Sequence, residues 1–187
     1  MRAEFKSKTK NIRKIYDIVY IALFTSVISV CAWITVPFVV PFTMQTFAVF
    51  VTLALLGGKR GTITVVCYIT LGMLGLPVFS GFNGGVSALF GATGGYIIGF
   101  LGASLLMWGF EKLFGNRRFA LLISMALGLI VCYLFGSVWY MLIYMNEAGI
   151  SEFFAALLVC VIPYIIPDIV KILLVLLVKK RLGKYIK

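Results

Sequence analysis

The chain of 187 residues is 62% hydrophobic and only 12% charged, with a mean hydropathy of +1.09. Soluble domains contain about half apolar and about a quarter charged residues, so this composition excludes an ordinary soluble protein. The net charge of +11 would suit nucleic acid, but the basic residues form short clusters between apolar runs, which indicates a lipid bilayer as partner and no nucleic acid.

Long charge-free runs predict the membrane-spanning helices, because one span needs about 20 apolar residues. The first run, residues 18–58, is long enough for two spans and contains Pro37 and Pro41, which break a helix. The second run, residues 61–110, is interrupted by the Pro- and Gly-rich segment GLPVFSGFNGG. With one helix in each later run, the sequence predicts six spans at about 18–36, 43–58, 61–76, 87–110, 119–145 and 153–178.

The distribution of basic residues predicts the orientation of these spans. The connections 37–42, 77–86 and 146–152 contain no Lys or Arg, whereas both tails and the other two connections hold every basic residue except Lys171. By the positive-inside rule, the basic side is cytoplasmic. The predicted fold is an all-α integral membrane protein of six transmembrane helices with both termini cytoplasmic. We expect residues 1–187 to form a single membrane domain.

Lys171 lies with Asp168 inside the last predicted span, within VIPYIIPDIVKILLVLLV. An ionisable side chain near the centre of a span costs at least about 2.5–3.5 kcal/mol. The two residues are three positions apart and share a helix face with Tyr164, one turn earlier. Pro163 and Pro167 leave backbone carbonyls that must find partners or line a polar cavity. Two interpretations stay open: a salt bridge that fixes helix packing, or a pair that binds a ligand in a polar pocket.

The stretch GFNGGVSALFGATGGYIIGF, residues 81–100, offers further candidates. Its first glycines allow a ligand to approach the backbone, and Asn83 carries both an acceptor and donors. Its later glycines, from Gly91 to Gly99, favour close packing against another helix. Tyr96 is one of several aromatic residues near the outer ends of spans, which suit either an interface belt or the wall of a ligand pocket.

Catalytic and metal chemistry lack their usual residues. The chain has no histidine, and no Gly-Lys-Ser/Thr segment of a phosphate-binding loop occurs. Its four cysteines lie in apolar runs without CxxC spacing, so we expect small hydrophobic roles rather than disulfides or a metal site. With one intramembrane acid and no paired carboxylates, an intramembrane enzyme is disfavoured and no catalytic residue is predicted.

Four segments together carry a family resemblance: VPFTMQTFAVF, LLGGKRGTITVVCYITLGMLGLPVF, GFNGG with GATGGYIIGF, and PYIIPDIVKILL. In this order, over almost the whole chain, they resemble the BioY family, the biotin-binding membrane subunits of energy-coupling-factor (ECF) vitamin transporters. The resemblance implies that biotin is captured from outside, under the loops after the first, third and fifth spans. It also implies biotin as the transported substrate, without a cofactor, and a complex with a transmembrane coupling protein (the T component) and two cytoplasmic ATPases.

The resemblance further implies ligand contacts for Asp168, Lys171 and Asn83. We expect Asp168 to accept hydrogen bonds from the ureido N–H groups of biotin, while Lys171 donates to one of its oxygens, because such charge-assisted bonds are strong. The candidate ligand-binding set is completed by Tyr164, Tyr96 and Gln45.

Ala22 and Ser26 form a small-xxx-small pair in the first span, which suits close contact with another membrane helix. The resemblance implies that this face binds the coupling protein, although the family's pair is alanine at both positions and Ser26 departs from it. Alternative functions are a capture subunit for a different vitamin and a membrane assembly protein in which the Asp168–Lys171 pair is only structural.

Overall fold

A computed structural model describes residues 2–37, 40–115, 117–144 and 150–186. The predicted connections 37–42 and 146–152 therefore lie partly outside the described residues. Helices dominate the described residues, which also contain one two-stranded hairpin and one 3-10 turn (Ser80–Phe82). The helices are α1 (Arg2–Trp33), α2 (Gln45–Leu56), α3 (Gly58–Met73), α4 (Val86–Leu89), α5 (Gly94–Phe114), α6 (Arg118–Tyr144), α7 (Ile150–Cys160) and α8 (Ile162–Leu182).

A β-hairpin follows α1, where the sequence predicts the last turn of the first span. Strand β1 (Thr35–Val36) pairs antiparallel with β2 (Phe42–Thr43), with Thr35 opposite Thr43. The β-branched residues of β1 favour extended backbone, and a residue that precedes a proline, as Val36 does, is disfavoured in the helical region. The first helix therefore ends at Trp33 rather than at residue 36, and the hairpin brings β2 back over the bundle.

Helix α2 lies at the centre of the bundle and contacts α1, α3, α5 and α8. Its residues from Ala48 to Ala54 are all buried, on every side of the helix. A helix that is apolar all round suits this position, because it has no polar face to direct towards water. Helix α2 thereby places its first residue, Gln45, beside the hairpin at one end of the bundle interior.

Helices α5 and α6 pack closely because glycines line their contact. A Cβ at Gly99 would lie 3.0 Å from the Cα of Cys132, and one at Gly95 would overlap Trp139. The prediction that the later glycines serve helix packing is therefore confirmed at these two positions. The predicted span 87–110 differs at its start, because the short helix α4 is separate and α5 begins only at Gly94.

The last predicted span, 153–178, is broken into α7 and α8, which are bent by 46°. The break falls at Val161, just before Pro163 in the first turn of α8. A proline at that position lacks the N–H for a helical hydrogen bond, and its ring clashes with the carbonyl four residues earlier, so α7 cannot continue through it. The span that carries Asp168 and Lys171 is therefore two helices instead of one.

By length and composition, the described residues contain three helices able to cross a membrane, or four if the bent pair α7–α8 is one span. Those three are Lys14–Trp33, Gly94–Phe114 and Arg118–Tyr144. Helix α2 has 12 residues and α3 has 16, so at 1.5 Å per residue they reach only about 18 and 24 Å. The chain is a mostly helical membrane protein, and the full count of six spans stays a prediction.

Candidate ligand-binding site

A cavity opens between the hairpin, the N-terminal ends of α2 and α5, the middle of α6, and α8. Its volume is about 50 Å³. The apolar part of its wall includes Phe42, Ile97, Phe100 and Leu129. The polar part is formed by Thr43, Gln45, Thr46, Thr93, Tyr96, Tyr133, Tyr164, Asp168 and Lys171.

Asp168 and Lys171 form an ion pair within α8. Lys171 Nζ lies 2.7 Å from Asp168 Oδ1, and the two residues are only 4% and 5% exposed. The predicted shared face is therefore confirmed, and both side chains border the cavity. Such a buried pair is stable only when its remaining hydrogen-bonding capacity is also used, because desolvation of two charges is expensive.

Neighbouring elements supply these additional hydrogen bonds. The Tyr133 hydroxyl on α6 donates to Asp168 Oδ2 at 2.6 Å, and Lys171 Nζ donates to the carbonyl of Thr43 at 2.8 Å. The ammonium also lies 4.0 Å from the centre of the Phe42 ring, a cation–π distance. Protein groups thus stabilise both charges, and each carboxylate oxygen keeps a lone pair with which to accept from a ligand.

Two tyrosines hold the cavity wall together. Tyr164 donates its hydroxyl hydrogen bond to the Val40 carbonyl and stacks on Phe42 at 6.2 Å, so it fastens α8 to the hairpin. Tyr96 donates to the carbonyl of Cys160, at the break between α7 and α8. The expectation that the proline-rich segment leaves carbonyls in need of partners is met here, by a side chain of α5.

Gln45 connects the cavity to the loop after α3. Its side-chain nitrogen donates to the Tyr68 hydroxyl at 2.9 Å, and that hydroxyl donates to the Val78 carbonyl at 3.0 Å. This direction of hydrogen bonding fixes the Gln45 amide with its nitrogen towards Tyr68. Its carbonyl oxygen is therefore the atom that Gln45 retains as an acceptor, and Gln45 borders the cavity.

Asn83 is the one predicted ligand-binding residue that does not line the cavity. Its side-chain nitrogen donates to the Ser80 carbonyl at 2.8 Å, and the residue is exposed at the surface. The surrounding loop is fixed to α1, because Trp33 donates to the Pro77 carbonyl at 2.8 Å and stacks on Phe82. The local turn thus directs the Asn83 amide to its own backbone.

The small-xxx-small pair of the first span, Ala22 and Ser26, lies outside the cavity. Ala22 and Ser26 are both exposed on α1, on the side opposite the buried residues Phe24 and Ile28. The Ser26 hydroxyl donates to the Ala22 carbonyl at 3.0 Å, so it needs no partner from outside. The Ala22–Ser26 face is therefore a small, self-satisfied surface separate from the cavity.

Three cavity residues that contact the Asp168–Lys171 pair were not predicted from the sequence: Tyr133, Thr43 and Phe42. Tyr133 is 35 positions from Asp168, and a tyrosine within an apolar span is unremarkable as a sequence signal. Phe42 and Thr43 lie within a segment that marks the family resemblance, VPFTMQTFAVF, and that segment was the available signal for them.

The cavity combines a carboxylate, an ammonium, hydroxyls and an amide oxygen with aromatic and aliphatic walls. This combination suits a small ligand that carries both donors and acceptors on an apolar body, since ligand pockets are mostly apolar with a few placed polar groups. Among the residues that the structure describes, no group of three His, Cys, Asp or Glu side chains is placed to hold a metal ion.

The fold and the candidate site define a helical membrane protein with a cavity bordered by a buried ion pair. A sequence model of the BioY family matches residues 3–187. The biotin transporter BioY of Thermotoga maritima is 38% identical over 165 residues, which cover 87% of this chain and 92% of that protein. The probable biotin transporter BioY of Pyrococcus horikoshii is 37% identical over 170 residues, 90% of this chain and 97% of its own. The chain therefore belongs to the BioY family.

A solved structure is similar over the same extent. It is the S-component for biotin from an ECF-type ABC transporter, with a TM-score of 0.79 and 30% identity. The match covers 93% of this chain and 94% of the other, so the two folds agree from end to end.

Proposed function

We propose that this chain is the biotin-capturing S component of an ECF-type uptake transporter. The observation that carries the proposal is the buried Asp168–Lys171 pair on the wall of a cavity, in a chain whose relatives are named biotin transporters. The function is transport rather than catalysis, and biotin is its substrate.

The chemistry of biotin fits the cavity group by group. Its ureido ring has two N–H donors and one carbonyl, beside an apolar bicycle and a carboxylate tail. Asp168 is an acceptor for the ureido N–H groups, and Lys171 is a donor to one of the biotin oxygens. Gln45, Tyr96 and Tyr164 complete the proposed contacts, with the amide oxygen and the two aromatic rings around the bicycle.

Selectivity for biotin follows from the cost of leaving a buried charged group without its hydrogen-bond partners. A ligand that lacks a ureido N–H would shield the remaining acceptor positions of Asp168 from water without filling them, and unsatisfied buried groups are costly. Asn83 is proposed to contact the ligand only if the loop after α3 closes further, because its amide is otherwise occupied by Ser80.

The proposed topology has six spans, with both termini in the cytoplasm of a prokaryotic cell and the protein in its plasma membrane. The basic residues at the α2–α3 turn, at the α5–α6 turn and in the tails support it. The short helices α2 and α3 would then cross only part of the hydrocarbon. They would do so inside the protein, where neighbouring helices shield their ends.

The proposed partners are a transmembrane coupling protein and two cytoplasmic ATPases, in line with the ECF transporter to which the similar solved structure belongs. The exposed Ala22–Ser26 face supports α1 as the contact, because small side chains let a partner helix approach closely. Replacing either residue with Leu should weaken co-purification with the coupling module while biotin affinity is retained. Normal assembly of both Leu variants would remove the Ala22–Ser26 face from consideration.

The decisive test replaces Asp168 with Asn and Lys171 with Met, separately. Each variant should lose biotin binding, measured by isothermal titration calorimetry of the detergent-purified protein, while it remains monodisperse. Thiamine and riboflavin, titrated into the unmodified protein, should give no heat of binding. Asp17→Asn is the matched control, since it removes an acid from the half-buried Asp17–Arg60 ion pair outside the cavity.

A second candidate is a membrane assembly protein in which the pair only fixes α8. It is favoured by one observation: Tyr133 and Thr43 already stabilise both charges without a ligand. This alternative predicts the opposite result, namely that biotin does not bind the unmodified chain and that the Asp168 and Lys171 variants aggregate. Binding of thiamine or riboflavin in place of biotin would instead identify a capture subunit for another vitamin.

A further inference from the structure

A groove runs along the outside of the bundle between the start of α6 and the second half of α8. It lies at the basic end of these helices, away from the ligand cavity, and its volume of about 860 Å³ is within the range of ligand sites. Its apolar walls include Phe119 and Leu122 from α6 and Leu173 and Leu177 from α8. Its basic rim includes Arg118 and Lys180.

Both walls change from basic to apolar in the same direction. On α8, Leu173, Leu177 and Lys180 follow one another at spacings of four and three residues, so they form one stripe that ends in a positive charge. On α6, Arg118 begins the helix and Leu122 lies one turn further in. The two stripes together present positive charge at one end and hydrocarbon at the other.

The apolar walls are open to the surroundings of the protein. Phe119 is 81% exposed, and Leu173 and Leu177 are 54% and 57% exposed. In a membrane protein such a surface contacts lipid chains rather than water. The groove is therefore available to an occupant that lies in the membrane.

Arg118 and Lys180 have charge available for such an occupant. Both are exposed, and among the side chains that the structure describes neither is part of an ion pair. Lys179 also lines the groove, but it borders a second cavity together with Glu111.

We propose that this groove binds an anionic phospholipid of the leaflet on the basic side. The phosphate lies between Arg118 and Lys180, and one acyl chain lies along the leucines of α8. A soluble anion would use only the rim and a protein helix would leave the charges unmatched, whereas an amphiphile satisfies both ends. Basic pockets between membrane helices have this character.

The expected contribution of the basic rim to lipid affinity follows from its two charges. A basic residue near the membrane surface strengthens binding of an anionic lipid about fivefold, so loss of both should weaken it about thirtyfold. A zwitterionic lipid carries no net charge and should gain little from the rim. Selectivity for anionic lipid is therefore the property to measure.

The test titrates the detergent-purified full chain with dioleoylphosphatidylglycerol or dioleoylphosphatidylcholine and counts bound lipids by native mass spectrometry. The unmodified protein should retain phosphatidylglycerol preferentially, and Arg118→Gln with Lys180→Gln should bind it about thirtyfold more weakly. The matched control, Lys59→Gln with Lys112→Gln, removes the same charge from α3 and α5 and should bind normally. Retained biotin binding verifies that each variant is folded.

A separate variant tests the apolar walls. Leu173→Ser with Leu177→Ser should weaken phosphatidylglycerol binding although both rim charges remain. The proposal is overturned if the two lipids bind equally, if the control variant loses as much affinity as the rim variant, or if the serine variant binds as before. That last result would leave a simple anion site without a lipid chain.

Discussion

The hydrogen bond from Tyr133 to Asp168 links α6 to the charged pair, and Tyr133→Phe removes it without changing the shape of the ring. The hydroxyl lies 2.6 Å from Asp168 Oδ2. After the substitution, that oxygen has no donor from the described residues, while Oδ1 keeps Lys171. The variant therefore isolates one charge-assisted hydrogen bond.

The magnitude follows from the nature of that bond. Hydrogen bonds to charged groups contribute about 1.5–3 kcal/mol, and because Tyr133 is only partly buried we take the lower end, about 1.5 kcal/mol. In a chain of this length, such a loss lowers the unfolding midpoint by about 3–6 °C. Biotin affinity should also fall, because the carboxylate is no longer held in one orientation.

The assay is thermal unfolding of the detergent-purified protein, measured for Tyr133→Phe alone and in the charge-free background Asp168→Ala with Lys171→Met. In that background the hydroxyl has lost its acceptor, so its removal should be neutral or slightly stabilising. Tyr140→Phe is the control on the same helix, since the Tyr140 hydroxyl makes no hydrogen bond to the described residues and its ring stacks on Tyr144.

One outcome would refute this reasoning. If Tyr133→Phe lowered the midpoint equally in both backgrounds, the effect would not come from Asp168, since coupled residues must show an interaction energy in such a cycle. The Tyr133 hydroxyl would then stabilise α6 in some other way.

Two further substitutions test the packing around the cavity and the basic end of the bundle. Gly136→Ala should lower the unfolding midpoint and weaken biotin binding in calorimetry. A Cβ at residue 136 would overlap the Tyr96 ring and displace the Tyr96 hydroxyl from Cys160, which should destabilise the protein by about 1–3 kcal/mol. An unchanged midpoint together with unchanged biotin affinity would contradict this close contact. Glu111→Gln should lower the unfolding midpoint slightly and spare biotin binding. The Glu111 carboxylate accepts a hydrogen bond from the backbone N–H of Gly58 at the start of α3, where a negative charge stabilises a helix by about 0.3–1 kcal/mol. Reduced biotin affinity in Glu111→Gln would count against a purely local role.

The charged centre of the candidate site is predictable from the sequence because that centre is local. Asp168, Lys171 and Tyr164 belong to one helix, and the geometry of a helix turn decides which of its residues share a face. The cost of burying charge in a membrane then indicates that the pair has partners. No knowledge of the rest of the fold is needed for either step.

The hydrogen-bond partners of the Asp168–Lys171 pair depend on the fold and were not predicted. Tyr133 lies 35 positions from Asp168 in the sequence, and Thr43 lies 128 positions from Lys171. Nothing in the local pattern around either residue encodes that approach. The Thr43 carbonyl is in position only because β1 and β2 form a hairpin, whereas the sequence predicts simply a proline-containing break between two helices.

Local backbone conformation explains the remaining differences. Asn83 has the right chemistry for a ligand, but the turn at Ser80–Phe82, where Phe82 has a φ of 59°, directs its amide to Ser80. Pro163 was predicted only to leave a carbonyl without a partner inside one continuous span, yet the helix breaks at Val161, in front of the proline. Residue type indicates that a chain departs from a helix, whereas neighbouring contacts decide where it goes.

The location of both charges on a single helix has a consequence for motion. Asp168 and Lys171 are bonded to each other within α8, while the Thr43 carbonyl and the Phe42 ring belong to the hairpin. If α8 slides or tilts against the hairpin, the acid and the amine travel together as a zwitterion with no net charge. Such a displacement breaks the contacts to the hairpin, and the Tyr133 hydrogen bond where α6 does not move with α8, but it leaves neither ion bare in the hydrocarbon. The pocket can therefore be dismantled and rebuilt without the electrostatic barrier that separation of the two ions would impose.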